Sequence, residues 1–464
     1  MNTQTHTRRA LIATVTITLA VLLLGTCYWN PQSGVGKITL NLSSGSRAQV
    51  DPTVVQYARA YLYADNMNNR INLDGATPYA EATMSASGGS MTVDHVPAGS
   101  GYQLVLTLGT KPDGSHFVPG KFGTSSTFDV TANHETSVSI ASVQSAKTVL
   151  SGAADVQYDL LGKDLNGVAY PASGNLGATD AGTLYRGAIG SMTGTGLGGF
   201  TANSLSSFTD GSGVAFFSVN TTNGIQVFKT TGGNLTSSTA PFSLPSAPTG
   251  SILQSGYYTT GNTYYYQGPG VLGGESGGNP WANVDLSGAV SGQPVLDFAL
   301  GGGTLNGFFA SKVGAFAIGV GLVSGGAQDL DYVITNGEFF HVSKGGRNLF
   351  IRTVAVNASI LYVGTTDGIY QQNVSSFTAN FDFPIPVSSV LPGSTGESVK
   401  KILFSTYLVA LCDNVVLVYK SGVGSQPISI PVSGVTLGDL RAIAINAGML
   451  YIAGSEGVTA VALN

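Results

Sequence analysis

The same short phrase occurs twice in this chain, 144 residues apart. Residues 219–226 are VNTTNGIQ and residues 363–370 are VGTTDGIY. Each copy follows a short apolar run, and neither contains a group that obviously does chemistry. A phrase repeated without reactive residues indicates a repeated structural unit, so this repeat is the first constraint on the fold.

The unit recurs near the C-terminus. Residues 354–370 align without a gap with residues 443–459, and a poorer copy lies between them. Leu361, Leu408 and Leu450 hold equivalent places, so the steps are 47 and then 42 residues. Each unit has a short apolar run, a polar turn and a second short run. This pattern predicts hairpins, because Asp, Asn and Gly tolerate tight turns while β-branched and aromatic residues suit strands.

Short strands that repeat every 40–50 residues or so are typical of β-propeller blades, whose faces are covered by neighbouring blades. The stretch ILYVGTTDGIYQ (360–371) also resembles the repeats of the sensor-type and neuraminidase-like propeller superfamilies. In those superfamilies the Gly-Thr-x-Asp-Gly turn joins the two inner strands of a blade. The resemblance covers residues 214–230, 353–374, 399–422 and 440–463. The repeat spacing predicts about seven blades between residues 146 and 464.

The composition favours an all-β protein that works outside the cytoplasm. Charged residues make up 10% of the 464 residues, well below the ~25% of ordinary soluble domains. The chain has 64 glycines, yet 43% of its residues are hydrophobic, which argues against disorder. The net charge is −5, and the sequence has no basic stripe. Nucleic acid is therefore not expected as a partner.

The N-terminus has the layout of a secretory signal peptide over residues 1–26. Two arginines precede a long apolar stretch, and the segment has no acidic residue. The stretch LGTC (24–27) resembles the lipobox of bacterial lipoproteins, which implies cleavage and lipidation of Cys27, with residues 27–36 as a lipidated tether. Thr26 departs from the Gly, Ala or Ser usual there. An ordinary cleaved signal and an uncleaved membrane anchor are the alternatives.

Residues 37–145 are predicted to form a β-sandwich domain. KITLNLS (37–43) alternates apolar and polar residues, as a half-buried strand does. SMTVDHVPAGSGYQLVLTLG (90–109) resembles the strand–turn–strand of small sandwiches that follow the anchor in bacterial surface lipoproteins. The sequence therefore predicts an all-β chain with an N-terminal β-sandwich followed by a roughly seven-bladed β-propeller.

One stretch suggests a hydrolase. GGESGGNPW (273–281) has the Gly-x-Ser-x-Gly pattern around Ser276 and resembles the Gly-Asp-Ser-Gly-Gly of trypsin-like proteases. With His134 and Asp180 it would complete a serine protease-like triad. Glu275 replaces the Asp of that motif, and a propeller repeat falls inside the second barrel that such a protease requires. A propeller glycosidase or lyase is the other enzymatic alternative.

Other motifs have weaker support. GTGLGG (194–199) matches the dinucleotide fingerprint, but no helical period follows, so we expect no nucleotide site. Asp65, Asn68 and Asp74 could hold calcium, but they lack the EF-hand spacing, and a plain turn is favoured. Cys412, alone in an apolar run, is expected to be a small buried hydrophobe. The sequence gives no grounds for a metal or another cofactor.

Aromatic residues supply the candidate binding site. Tyr264, Tyr265 and Tyr266 lie in a predicted hairpin, and Trp281 follows a Gly-rich stretch. Exposed aromatics beside such a loop can stack a sugar or contact a protein, although packing between blades is the simpler explanation. The sequence predicts a lipid-anchored envelope protein, facing the periplasm or the exterior, that binds a protein or glycan and is not an enzyme.

Overall fold

The structure is a computed structural model of the 464-residue chain. It describes residues 34–41, 56–65, 67, 69–73, 77–84, 90–141, 143–145, 156–171, 174–209, 215–221, 224–231, 234–238, 254–258, 263–267, 270–272, 281–285, 290–291, 303–313, 316–324, 330–335, 338–340, 343–344, 347–349, 351–357, 360–373, 390–420, 424–432 and 434–463. Its regular secondary structure is all β, as the sequence predicts. None of the described residues belongs to a helix that could cross a membrane. The predicted signal peptide and Cys27 lie outside these ranges.

Two sheets are built from residues 35–145, and together we call them the N-terminal unit. A three-stranded sheet has the order β5-β1-β9, with β1 and β9 parallel. A seven-stranded sheet has the path β10-β7-β6-β2-β3, with β4 on β2 and β8 on β6. The strands are β1 (Val35–Asn41), β2 (Gln56–Ala64), β3 (Asn69–Ile71), β4 (Ala80–Met84), β5 (Ser90–Pro97), β6 (Gly99–Thr110), β7 (Val118–Thr124), β8 (Phe128–Val130), β9 (Glu135–Ser139) and β10 (Gln144–Ser145).

The seven-stranded sheet is covered on both faces, as β2 shows. Alternate residues of a strand point to opposite faces. Ala60 and Leu62 belong to a core cluster that also contains Ile38 of the three-stranded sheet. Tyr61 and Tyr63 belong to a different cluster, which is shared with the C-terminal strands. The N-terminal unit is therefore packed against the rest of the chain through the second face of this sheet.

Among the described residues after 145, seven further sheets, each antiparallel, and a two-stranded ladder, β29-β30, follow. The sheets are β12-β13-β14-β15, β16-β17-β18-β19, β20-β21-β23-β24, β22-β25-β26-β27-β28, β31-β32-β33, β34-β35-β36-β37 and β11-β40-β39-β38. Their strands and those of the ladder are β11 (Gln157–Asp159), β12 (Gly167–Ala169), β13 (Leu176–Thr179), β14 (Thr183–Gly187), β15 (Thr193–Gly196), β16 (Ala202–Thr209), β17 (Ala215–Thr221), β18 (Gly224–Thr231), β19 (Asn234–Ser238), β20 (Gln254–Tyr258), β21 (Thr263–Gln267), β22 (Gly270–Leu272), β23 (Trp281–Asp285), β24 (Val290–Ser291), β25 (Gly303–Val313), β26 (Phe316–Ser324), β27 (Leu330–Thr335), β28 (Glu338–Phe340), β29 (Ser343–Lys344), β30 (Arg347–Asn348), β31 (Ile351–Asn357), β32 (Ile360–Thr365), β33 (Gly368–Asn373), β34 (Val399–Phe404), β35 (Leu408–Cys412), β36 (Val415–Tyr419), β37 (Ile428–Pro431), β38 (Leu440–Asn446), β39 (Met449–Gly454) and β40 (Gly457–Ala462).

The last of these sheets joins the two ends of the region. Its outer strand, β11, comes from the start of the region and pairs with β40 from its end. We call this pairing the seam. Strands β12, β16, β20, β25, β31, β34 and β38 contact one another in that order, and β38 contacts β12. The contacts between sheets therefore return to their starting point.

The repeated phrases form hairpins in register, which confirms that sequence prediction. Val354 pairs with Val363 in one sheet, and Ile443 pairs with Ile452 in another, as the gapless alignment requires. A register shift recurs at the second residue of β31, β34 and β38. Gly368 has a φ of +126°, in the left-handed region that glycine adopts without strain. The sequence unit is thus one hairpin of one sheet.

Candidate functional site

The aromatic candidates lie on neighbouring strands. Tyr264, Tyr265 and Tyr266 are in β21, and Trp281 begins β23. The two strands are antiparallel, with Gln267 opposite Trp281 and Tyr266 opposite the next residue. The backbone therefore brings the tryptophan beside the tyrosine run, although they are separated in sequence by a Gly-rich stretch. The shared solvent-facing patch stays a prediction.

The residues of the alternative hydrolase triad have local structural roles. His134 lies in the turn before β9, where its carbonyl oxygen accepts a hydrogen bond from the Lys37 amide at 3.0 Å. Asp180 lies in the β13–β14 turn, and its carboxylate accepts hydrogen bonds from the Gly182 amide at 2.9 Å and the Tyr185 hydroxyl at 2.6 Å. Ser276 is outside the described residues. No hydrogen bond joins His134 to Asp180 in the part of the chain that the structure describes.

The environment of Asp180 explains its ionisation. Burial alone would raise the pKa of this carboxyl, but the hydrogen bonds from Tyr185, Gly182 and Thr183 outweigh burial and lower it. The carboxylate is thus an ionised anchor for its own hairpin.

The other sequence candidates also have structural explanations. Gly194 and Gly196 lie in β15, and β16 follows, so the helix that a dinucleotide site needs is not there. Cys412 is fully buried in β35, and burial raises the pKa of its thiol. Asp65 accepts a hydrogen bond from Asn69, whereas Asn68 and Asp74 lie outside the described residues. Within the described ranges, no cluster of three potential metal ligands occurs.

The most organised charged site is one that the sequence did not suggest. It lies where the N-terminal unit meets the last sheet, and it centres on Arg59, which is only 5% exposed. The Arg59 Nε donates to Glu81 at 2.8 Å, and its Nη1 donates to Glu456 at 3.3 Å. Its guanidinium carbon lies 4.1 Å from the centre of the Tyr79 ring and 4.3 Å from that of Phe117. One arginine thus joins two carboxylates of different sheets between two aromatic rings.

The opposite charges at this junction stabilise one another. The Lys111 ammonium lies 2.5 Å from Glu81 and 4.6 Å from the centre of the Tyr57 ring. Burial would raise the pKa of Glu81, but hydrogen bonds from Lys111 and Arg59 outweigh burial and lower it. Glu81 therefore stays ionised at neutral pH. This pairing compensates for the cost of removing Arg59 from water.

Further contacts extend the junction along the same face. Arg70 forms a bidentate pair with Asp439, in the loop before β38. The Asn414 side chain donates to the Met67 carbonyl oxygen at 2.9 Å. Between these polar contacts, a buried cluster unites four residues of the N-terminal unit with residues of the last two sheets. The four are Tyr61, Tyr63, Val105 and Phe122.

No protein-family model matches the chain, and no curated protein does. Solved structures resemble it weakly. PorZ, a surface component of the type-IX secretion system of Porphyromonas gingivalis, is 13% identical over 92% of this chain and 68% of its own, with a TM-score of 0.46. An extracellular domain of a hybrid two-component system from B. thetaiotaomicron is 13% identical over 66% of this chain and 39% of its own, at 0.44. The computationally designed protein Ika8 is 11% identical over 66% of this chain and 98% of its own, with a TM-score of 0.42. Matches at this level assign neither a family nor a function.

Proposed function

We propose that this chain is an exported, lipid-anchored protein of the cell envelope with a binding or scaffold role carried by a β-propeller. In this proposal residues 1–26 are the signal peptide and residues 27–36 the lipidated tether. Residues 37–145 form the β-sandwich, and residues 146–464 form a propeller of seven blades. The protein is not an enzyme, uses no cofactor and does not bind nucleic acid.

The observation that carries the proposal is the seam. A sheet whose outer strand comes from the start of a region and whose other strands come from its end is the usual way to close a propeller ring. The cyclic contacts between the first strands of successive sheets support the same arrangement. Ring closure leaves only short protected edges, and the loops at its ends are free to bind a partner.

The local roles of the triad residues support a binding role over the protease alternative. Both carboxylate oxygens of Asp180 are already hydrogen-bonded within its own hairpin. In a catalytic triad this carboxylate would instead orient the histidine. His134 belongs to a turn of the N-terminal unit, whose backbone contacts explain its place without catalysis.

The location is tested at Cys27. The Cys27→Ala variant should lose incorporation of a labelled fatty acid and either leave the membrane fraction or persist as an uncleaved precursor. Cys412→Ala serves as the matched control, because it removes the other cysteine and should leave labelling unchanged. Fatty-acid labelling that persists in Cys27→Ala would rule out the lipid anchor.

The binding role is tested at Trp281 with a panel of envelope glycans and envelope proteins. Trp281→Ala should weaken capture of the recognised ligand about tenfold, which corresponds to about 1.4 kcal/mol, with little change in melting temperature. Tyr407→Ala, which removes a half-buried aromatic from another sheet, should leave capture unchanged. Equal capture by Trp281→Ala and the unaltered protein would exclude the aromatic site.

A further inference from the structure

We infer that contacts from the N-terminal unit hold the seam closed and so stabilise the closed ring of sheets on which the proposed function rests. The seam consists of three residue pairs, in which Gln157, Tyr158 and Asp159 face residues 458–460. So short a ladder has few hydrogen bonds, and each contributes modestly to stability because water competes for the same groups. Contacts from outside the sheet must therefore help to keep it closed.

Tyr158 supplies the first such contact. Its hydroxyl lies 2.7 Å from the carbonyl oxygen of Pro119, in β7 of the N-terminal unit. It also lies 3.1 Å from the carbonyl oxygen of Val435, in the segment before β38. The single hydroxyl proton is thus shared between an acceptor in the N-terminal unit and one in the ring. Tyr158, a residue of the seam, is therefore held by acceptors of both the N-terminal unit and the ring.

The turn after β11 is fixed in a second way. The Gly162 amide donates to the Glu456 carbonyl oxygen at 2.9 Å. The His116 ring of the N-terminal unit covers this glycine so closely that a Cβ atom would lie 2.2 Å from its Nε2. Asp113 orients the ring, because its carboxylate lies 2.6 Å from His116 Nδ1. The N-terminal unit thus covers the turn that follows the incoming strand.

The turn that leads into the opposite strand of the seam is contacted as well. Glu456 belongs to the turn that joins β39 to β40, and its carboxylate accepts the hydrogen bond from Arg59. Arg70 binds Asp439, whose backbone carbonyl accepts the amide of Ser455 in that same turn at 3.0 Å. The N-terminal unit therefore contacts both Tyr158 of β11 and the turn that leads into β40. Loss of these contacts should let β11 leave β40.

Hydrogen exchange of the full-length protein tests this inference. In Arg59→Met, those amides of residues 157–159 and 458–460 that point across the seam should exchange at least about tenfold faster, which corresponds to about 1.4 kcal/mol. The amides of β17 and β18, which pack in a separate core cluster, should lose less protection than those of the seam. Arg352→Met is the matched control, since this exposed arginine lies on β31, away from the junction, and its loss should leave the seam unchanged.

Tyr158→Phe is the second variant, and it tests the inference even if Arg59→Met does not fold. It removes one oxygen and should speed exchange at residues 157–159 about threefold. Unchanged seam protection in Tyr158→Phe, or in an Arg59→Met protein whose β2 amides have lost protection, overturns the inference. Equal loss of protection in every sheet also overturns it. These readouts do not depend on lipid or ligand, so failure here is distinct from failure of the proposed function.

Discussion

Two turns of the repeat hold the same place in their hairpins and differ in what closes them. Residues 366–367 join β32 to β33, and residues 455–456 join β39 to β40. Both are two-residue turns followed by a glycine with positive φ, Gly368 and Gly457. The residue before the turn is Thr365 in the first hairpin and Gly454 in the second. That difference accompanies a different use of the two turns.

The first turn is closed by its own side chain. The Thr365 hydroxyl accepts a hydrogen bond from the Asp367 amide and donates to the Gly368 carbonyl oxygen, both at 3.0 Å. The second turn is closed by the neighbouring segment 437–439. The Ser455 amide donates to the Asp439 carbonyl oxygen at 3.0 Å, and the Glu456 amide donates to that of Leu437 at 3.2 Å.

This difference shows that the repeated sequence specifies the hairpin itself. The segments packed against each hairpin determine which contacts its turn makes. Segment 437–439 lies so close to Gly454 that a Cβ there would be 1.9 Å from the Leu437 carbonyl oxygen. The same segment presents Asp439 to Arg70, and the turn presents Glu456 to Arg59. The last hairpin has become a docking point for the N-terminal unit.

The largest expected effect comes from exchanging the residues that precede the turns. Gly454→Thr should destabilise the protein by about 3–4 kcal/mol, because the backbone of residue 437 must move. Thr365→Gly should cost about 1–2 kcal/mol, because it removes two hydrogen bonds and adds unfolded-state entropy. Urea unfolding midpoints measure both. A larger loss in Thr365→Gly would contradict this account of the two turns.

Removing the arginine that docks on the second turn should have the next largest effect. Arg59→Met should lower the free energy of unfolding by about 2 kcal/mol, since it removes the buried cation that pairs with Glu81 and with a Glu456 carboxylate that is 35% exposed. Arg352→Met, at the start of the sheet that carries the first turn, should change it by less than about 0.5 kcal/mol. Calorimetry of the two variants side by side checks this. If the two variants lost similar free energies of unfolding, the ion pairs of Arg59 would contribute no more to stability than an exposed arginine does.

The segments that cover the two turns should respond oppositely to pH. Segment 391–398 covers the first turn, and Ser394 Oγ there accepts the Ile369 amide at 3.0 Å. In this segment Glu397 has no cationic partner among the described residues, and burial, together with Asp413, raises its pKa to about 7. Burial would also raise the pKa of Asp439 at the second turn, but the hydrogen bond from Arg70 outweighs burial and lowers it.

The signs of the two shifts set the prediction. A carboxyl with a raised pKa binds its proton more tightly in the folded state, so stability falls as pH rises from about 4.5 to 7. Glu397→Gln should therefore stabilise the protein by about 1–2 kcal/mol at pH 8, a value reduced for partial exposure, and by little at pH 4.5. The Asp439 contribution is present at neutral pH and is lost as pH falls through its lowered pKa. If Glu397→Gln changed the free energy of unfolding equally at pH 4.5 and pH 8, the raised pKa of Glu397 would be contradicted.

The sequence predicted the hairpins and their glycines because these are local features. The turn residues and the apolar flanks of 354–370 and 443–459 are enough to specify strand, turn and strand. It did not predict the junction, because the partners Arg59 and Glu456 are 397 residues apart. Alternation in β2 assigns Arg59 to one face of a strand, but nothing local says what covers that face.

The aromatic candidates show the same limit at shorter range. The run of tyrosines at 264–266 marks a strand by composition alone. Its pairing with Trp281 depends on the path of a Gly-rich segment that has no periodicity. Strand identity was therefore predictable, whereas the neighbour across the ladder was not.

The pairing of β11 with β40 also fixes when the fold can be completed. The two strands are about 300 residues apart in the chain, and closing so long a loop costs entropy before any contact repays it. During synthesis, β11 emerges early and must wait with an open edge until the C-terminus arrives. An open edge of this kind is a template for mispairing with another chain. A truncation before residue 457 would leave that edge permanently open, so such products should aggregate or be degraded.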